Sequence, residues 1–104
     1  MDNPFFSIII PNYNSKYLRR TLESVKKQTF ANWEAIVIDN NSTVDVSNII
    51  SDYSDDRFKF YKIENKGIIA KSRNYGILKS NSEYILFLDS DDWWKPEKLS
   101  ILRD

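Results

Sequence analysis

Tyr84-Ile85-Leu86-Phe87-Leu88-Asp89-Ser90-Asp91-Asp92 is an apolar run that breaks without transition into three carboxylates around one serine. Five apolar residues without polar alternation describe a strand covered on both faces, the form that strands of parallel sheets take. Carboxylates crowded at the end of such a strand lose hydration, a cost that a cation or strong donors must offset. A hard divalent cation with oxygen ligands suits them. Taken alone, the same acids also suit a water-facing turn or the cap of a helix opening at Pro96.

Outward from this stretch the chain repeats one rhythm. Phe6-Ser7-Ile8-Ile9-Ile10 reads as a buried strand closed by the turn Pro11-Asn12-Tyr13-Asn14. From Ser15 to about Gln28, Leu18, Leu22 and Val25 recur at helical spacing among Arg19, Arg20, Glu23, Lys26 and Lys27, which predicts an amphipathic helix. Trp33 to Ile38 is a second strand, ending at Asp39-Asn40-Asn41-Ser42, and Val46 to Tyr53 is a weaker helix. Phe58 to Ile63 alternates as a third strand, and a helix from Ile69 to Leu78 follows the turn Glu64-Asn65-Lys66-Gly67. Tyr84 to Leu88 is the fourth strand, and Pro96 is placed in the first turn of a last helix carrying Leu99 and Leu102.

Alternating strands and helices predict an α/β fold of the Rossmann-like kind, a mostly parallel sheet flanked by helices on both faces. Ligands of such sheets bind beyond the carboxyl ends of the strands. Three of the four strands deliver polar residues there: Pro11 to Asn14, Asp39 to Ser42, and Asp89 to Asp92.

Composition narrows the chemistry. With 104 residues, 41% hydrophobic and 14% aromatic, the chain is expected to form one globular domain over residues 1–104. Fifteen basic residues balance fifteen acidic ones, which argues against a nucleic-acid partner held by a broad positive field. The absence of Cys and His removes thiol nucleophiles, disulfides, histidine bases and the usual zinc ligands. Only two glycines, Gly67 and Gly76, leave no dinucleotide fingerprint and no phosphate-cradling P-loop. The opening Met1-Asp2-Asn3-Pro4-Phe5 lacks a basic leader, and the apolar run after it is too short to span a bilayer. The expectation is a cytoplasmic protein, at most peripheral to the inner face of a membrane.

The ordered segments Ser7 to Asn14, Ser24 to Phe30, the Asp39 strand end, Asn65-Lys66-Gly67 through Ser72-Arg73-Asn74-Tyr75-Gly76, and Leu86 to Asp92 resemble the family 2 glycosyltransferases of the GT-A fold. Leu88-Asp89-Ser90-Asp91 looks like that family's Asp-x-Asp motif. The resemblance implies that Asp91, with Asp89, binds Mn2+ or Mg2+ on the diphosphate of a nucleotide sugar, Asp89 lying nearer the ribose or sharing the metal through water. It implies that Asp39 accepts a hydrogen bond from the base, typically uracil N3–H, and that Pro11 and Tyr13 line the base pocket. Arg73 matches the arginine of the family's Ala-Arg-Asn segment, with Ser72 in place of the alanine, and a guanidinium there suits a diphosphate. The pattern departs from the family's usual Asp-Asp-Gly-Ser at Asp39-Asn40-Asn41-Ser42, where the second acid is missing. Trp93 and Trp94 suit stacking on a sugar ring or filling a core or interface, and they are left out of the candidate site.

The implied activity is inverting, metal-dependent hexosyl transfer from a nucleotide-diphosphate sugar, a UDP-sugar being favoured, to the hydroxyl of a saccharide or lipid-linked acceptor. The family's general base lies well downstream of Asp-x-Asp, so no catalytic base is assigned here. The chain is expected to be the truncated, nucleotide-binding half of a GT-A domain, inactive alone. Strands left at an open edge favour self-association, making a homo-oligomer a candidate assembly. A haloacid dehalogenase-like phosphohydrolase with Asp89 as nucleophile is the alternative enzyme, against which stands Trp93 where that pattern wants Thr or Val. A receiver needs acids after the first strand, and an EF-hand needs a Gly and a distal Glu absent after Asp89. A non-catalytic sugar-nucleotide binder remains the alternative within the resemblance.

Overall fold

In a computed structural model describing residues 3–104, the strands β1 (Phe6–Asn12), β2 (Trp33–Asn40), β3 (Phe58–Ile63) and β4 (Tyr84–Phe87) pair in parallel in the order β3-β2-β1-β4. Helices α1 (Leu18–Lys26), α2 (Val46–Ser51), α3 (Ile69–Lys79) and α4 (Lys98–Arg103) complete the alternation. The architecture is the α/β sheet that the apolar runs predict. Met1 and Asp2, which the single-domain expectation includes, lie outside the described residues.

The strand interiors explain the order. Ile8, Ile9 and Ile10 of β1 and Ala35 to Ile38 of β2 are fully buried, so these two strands occupy the centre. Successive side chains of a strand point to opposite faces. Ile8 and Ile10 of β1 and Ala35 and Val37 of β2 therefore meet Leu18, Leu22 and Val25 of α1, Val46 and Ile50 of α2, and Leu99 of α4 on one face. Ile9, Ile36 and Ile38 meet Tyr75 of α3 on the other. Each large aliphatic side chain so buried contributes about 1.5–3 kcal/mol relative to exposure.

Helix α3 lies close to β1 because Gly76 has no side chain. A Cβ at this position would overlap Ile9 Cγ2. At the opposite end of the sheet from the polar loops, Glu34 is buried and accepts hydrogen bonds from Ser7 Oγ at 2.6 Å, Asn81 N at 2.7 Å and Asn81 Nδ2 at 3.1 Å. These bonds tie the α3–β4 connection to the two central strands.

Several boundaries differ from the sequence-based expectation. Strands β1 and β2 run on to Asn12 and Asn40, because Pro11 and Asn12 stay in register with Ile38 and Asp39 instead of opening a turn, and α1 and α2 end at Lys26 and Ser51. Helix α1 begins at Leu18 rather than Ser15, because the Ser15 hydroxyl is occupied outside the helix, accepting from Tyr17 N and donating to Ser90 O. Helix α4 begins at Lys98, and Pro96 precedes it in a turn whose carbonyl accepts Thr29 N at 2.9 Å. Strand β4 ends at Phe87, although Leu88 N still donates to Ile9 O at 3.0 Å.

Candidate functional site

The carboxyl ends of the strands open into a cavity of about 690 Å3. Its walls are built by loops joined to one another through side chains, and the joints run in chain order. Asn12 ends β1 in register with Asp39 near the end of β2. Asn12 Nδ2 donates to Asp39 Oδ1 at 3.0 Å, and Ser42 N and Oγ donate to the same carboxylate. Asn14 adopts a left-handed backbone, φ 50°, which lets its N–H reach Ser42 Oγ at 2.8 Å and its Oδ1 accept Thr43 N at 2.9 Å. The loops after β1 and β2 are thereby one hydrogen-bonded unit.

The next joint connects β2 to α3. Asn40 Oδ1 accepts Asn65 N at 3.0 Å, and Asn40 Nδ2 donates to Asn65 Oδ1. Asn65 Oδ1 also accepts Ile68 N at 2.9 Å, satisfying a donor at the start of α3. Lys66 and Gly67 both have positive φ, 59° and 79°, which turns the chain sharply into that helix. One turn into the helix, Arg73 reaches across to the β4 loop, its Nη2 standing 3.4 Å from Asp89 Oδ1.

The last wall is the acidic segment after β4. Asp92 N donates to Asp89 O at 3.0 Å, closing a turn over Asp89 to Asp92. The Asp92 carboxylate accepts Trp93 N at 2.9 Å and does not line the cavity. It caps no helix, since α4 starts at Lys98 with Glu97 in the capping position. Trp93 is exposed, whereas Trp94 packs on the core.

Of the residues singled out in the sequence, Pro11, Tyr13, Arg73, Asp89 and Asp91 line this single cavity. Asp39 belongs to the same assembly but lies beneath it, 1% exposed, with Asn12 as the group above it. Asn12, Tyr17, Asn40 and Ser72 also line the cavity, and the sequence reading did not single them out as site residues. Asn12 and Asn40 were legible in part, as polar residues ending runs that are otherwise apolar. Among the described residues no group of three or more carboxylates is gathered closely enough to hold a metal ion. The crowding of Asp89, Asp91 and Asp92 in sequence thus does not become a three-carboxylate cage, because the turn points Asp92 away. No helix among the described residues is long and apolar enough to cross a membrane.

The family model described as glycosyl transferase family 2 matches residues 7–104. The chain belongs to glycosyl transferase family 2. Among its family 2 relatives, the Escherichia coli protein named UDP-Glc:alpha-D-GlcNAc-diphosphoundecaprenol beta-1,3-glucosyltransferase WfgD is 37% identical over 97% of this chain and 40% of its own length. The putative teichuronic acid biosynthesis glycosyltransferase TuaG of Bacillus subtilis is 36% identical over 92% of this chain and 39% of its own. The structure of S. aureus TarS 1-349 in complex with UDP-GlcNAc superimposes with a TM-score of 0.89 at 34% identity, covering 95% of this chain and 30% of that one. The chain therefore spans well under half the length of the relatives it matches, and its four-stranded parallel sheet matches that of GT-A neighbours.

Proposed function

We propose that the chain binds a nucleoside-diphosphate sugar, with UDP as the favoured carrier, and forms the donor-binding part of an inverting glycosyltransferase acting on a saccharide or lipid-linked hydroxyl. One observation carries this reading: Pro11, Tyr13, Arg73, Asp89 and Asp91 come from three separate segments and line one cavity in a family 2 chain. The UDP-GlcNAc complex of TarS supports it by structural likeness.

The donor set fits a hard divalent cation, Mn2+ or Mg2+. Asp91 and Asp89 offer only oxygen ligands, and no His or Cys competes. Two carboxylates suffice for such an ion because it keeps waters and takes its remaining ligands from substrate phosphates. When bound, it would neutralise the charge that gathers on the departing nucleoside diphosphate.

The chain's own groups divide the remaining work. Tyr13, 61% exposed at the cavity, offers an aromatic face to a base. Asp39 holds the floor of that pocket through Asn12 and Ser42, and contact between its carboxylate and the base requires Asn12 to move aside. Arg73 faces the diphosphate with donors in fixed fork geometry. No residue here is assigned as the general base, and the isolated chain binds donor without turning it over. The open edge of β4, where Tyr84 and Phe87 are exposed, is the surface assigned to self-association.

Calorimetry with UDP, GDP, TDP and CDP, each with and without Mn2+, tests the reading. Binding of UDP that needs Mn2+ and is lost in Asp91→Asn is the expected result. A folded sample that binds no nucleotide in any arm overturns it, and glycosyl transfer by the isolated chain overturns the assignment of binding without turnover.

A further inference from the structure

The acidic turn is held from behind by α1 and the loop that leads into it. Three consecutive carbonyls of this turn are engaged there. Ser90 O accepts from Ser15 Oγ at 2.8 Å and lies 2.9 Å from Thr21 Oγ1. Asp91 O accepts from Arg20 Nη2 at 2.9 Å, and Asp92 O accepts from Thr21 Oγ1 at 2.5 Å.

Thr21 differs from the other two donors in its surroundings. Arg20 and Ser15 keep contact with solvent, whereas Thr21 is fully buried on the face of α1 that also carries Leu18, Leu22 and Val25. A threonine hydroxyl has one proton. With Ser15 supplying Ser90 O, the Thr21 proton goes to Asp92 O, the shorter contact, and its oxygen fixes how near the two carbonyls come. The bond from the buried Thr21 hydroxyl to the part-buried Asp92 carbonyl has no replacement in an apolar side chain, so its loss frees the turn on that side.

The direction of these bonds has a chemical result. With the carbonyls of Ser90, Asp91 and Asp92 drawn towards α1, the side chains of Asp89 and Asp91 are left on the cavity side, where both line the wall. We infer that Thr21 is a positioning residue, whose buried hydroxyl sets the shape of the Asp89 to Asp92 turn and so the separation and aim of the two carboxylates. The inference rests on the reading that this turn engages a metal–nucleotide complex, but its first test does not.

That test is amide hydrogen exchange on the metal-free full chain, comparing wild type, Thr21→Val and Thr21→Ser. Valine has nearly the same shape and no hydroxyl, so the packing of α1 is retained. Faster exchange at Asp92 N–H in Thr21→Val, restored by Thr21→Ser while the core strands β1 and β2 keep wild-type protection, is the expected result. The second readout is Mn2+ binding in the presence of UDP, followed by loss of the free-ion electron paramagnetic resonance signal. Thr21→Val should weaken it about tenfold, the equivalent of one hydrogen bond, and Thr21→Ser should recover it.

Unchanged exchange at Asp92 in folded Thr21→Val overturns the inference. So does a Thr21→Ser variant that behaves like Thr21→Val. Failure of the wild type to bind Mn2+ with UDP overturns the proposed function instead, and leaves the exchange result to decide the role of Thr21. Should Thr21→Val not fold, Thr21→Ala removes the same hydroxyl without a branch that must be packed. Faster exchange at Asp92 in that variant supports the backing of the turn, and wild-type exchange overturns it.

Discussion

Asn12 and Asp39 are register partners on β1 and β2, and their side chains bond to each other across the top of the sheet, Asn12 Nδ2 donating to Asp39 Oδ1 at 3.0 Å. With Ser42 N and Oγ on the same carboxylate, Asp39 is an acceptor surrounded by donors. Asp39→Asn places an NH2 group among them and should cost about 1–3 kcal/mol, read as a lower urea midpoint at unchanged slope. Loss of UDP affinity without loss of stability would instead make the carboxylate a direct ligand of the base.

Gly76→Ala sets two effects against each other. Alanine raises helix propensity by about 1 kcal/mol, while forcing a methyl group into a packed contact costs about 1–3 kcal/mol. Here the obstructing atom is Ile9 Cγ2, attached near the backbone of a central, fully buried strand, so it has little room to yield. Net destabilisation is expected, lowering Tm by several degrees. Adding Ile9→Ala should shrink the Gly76→Ala increment, and additive losses in the double variant would refute a direct contact.

Asp55 gives the chain an acid sensitivity unrelated to the cavity. Its carboxylate accepts from Arg57 Nη2 at 2.7 Å, Arg57 Nε at 3.0 Å and Lys26 Nζ at 3.2 Å. Hydrogen bonds from the Arg57 side chain, outweighing the effect of burial, hold the carboxyl well below the usual carboxylate range. Because the folded value is depressed, the unfolded chain takes up the proton first, at about pH 3.9. The stabilisation is complete above that pH and is lost as pH falls below it. Thermal melts between about pH 5 and pH 2 should show a shallower acid decline in Asp55→Asn than in wild type; parallel curves would remove Asp55 as the cause.

Arg73 should separate binding from stability. Its pair with Asp89 is long at 3.4 Å and both side chains are well exposed, 40% and 60%, so the pair is worth at most about 1 kcal/mol. Arg73→Lys keeps the charge and loses the fork. The expected outcome is a melting temperature close to wild type with UDP affinity reduced about tenfold in the presence of Mn2+, the size of one charge-assisted bond. Unchanged affinity would take Arg73 out of the diphosphate site.

The central strands were legible because burial on both faces leaves a direct trace, a run such as Ile8-Ile9-Ile10 or Ala35-Ile36-Val37-Ile38 that no helix period explains. The equally apolar Tyr84 to Phe87 is instead an edge strand, with Tyr84 and Phe87 exposed, and is not covered on both faces. The meeting of Pro11, Tyr13, Arg73, Asp89 and Asp91 followed from strand polarity, since parallel strands bring all their exits to one rim. Side-chain bonds between loops leave no such trace. Nothing local in Asn12 or Asn40 says that one will hold Asp39 and the other Asn65, because each partner is more than twenty residues away. The start of α1 was misplaced for a related reason: Ser15 has the composition of a helix start, and its hydroxyl is claimed by Ser90 O from the far end of the chain.

The sheet order has a consequence for biosynthesis. Of the four strands β1 is translated before the other three, yet Phe6 must pair with Trp33 on one side and with Tyr84 on the other. The backbone edge of β1 that faces β4 therefore stays unpaired until β4 has been translated, and closing so long a loop makes folding slow. Chaperone demand should peak during that interval and end when the acidic turn after β4 docks against α1.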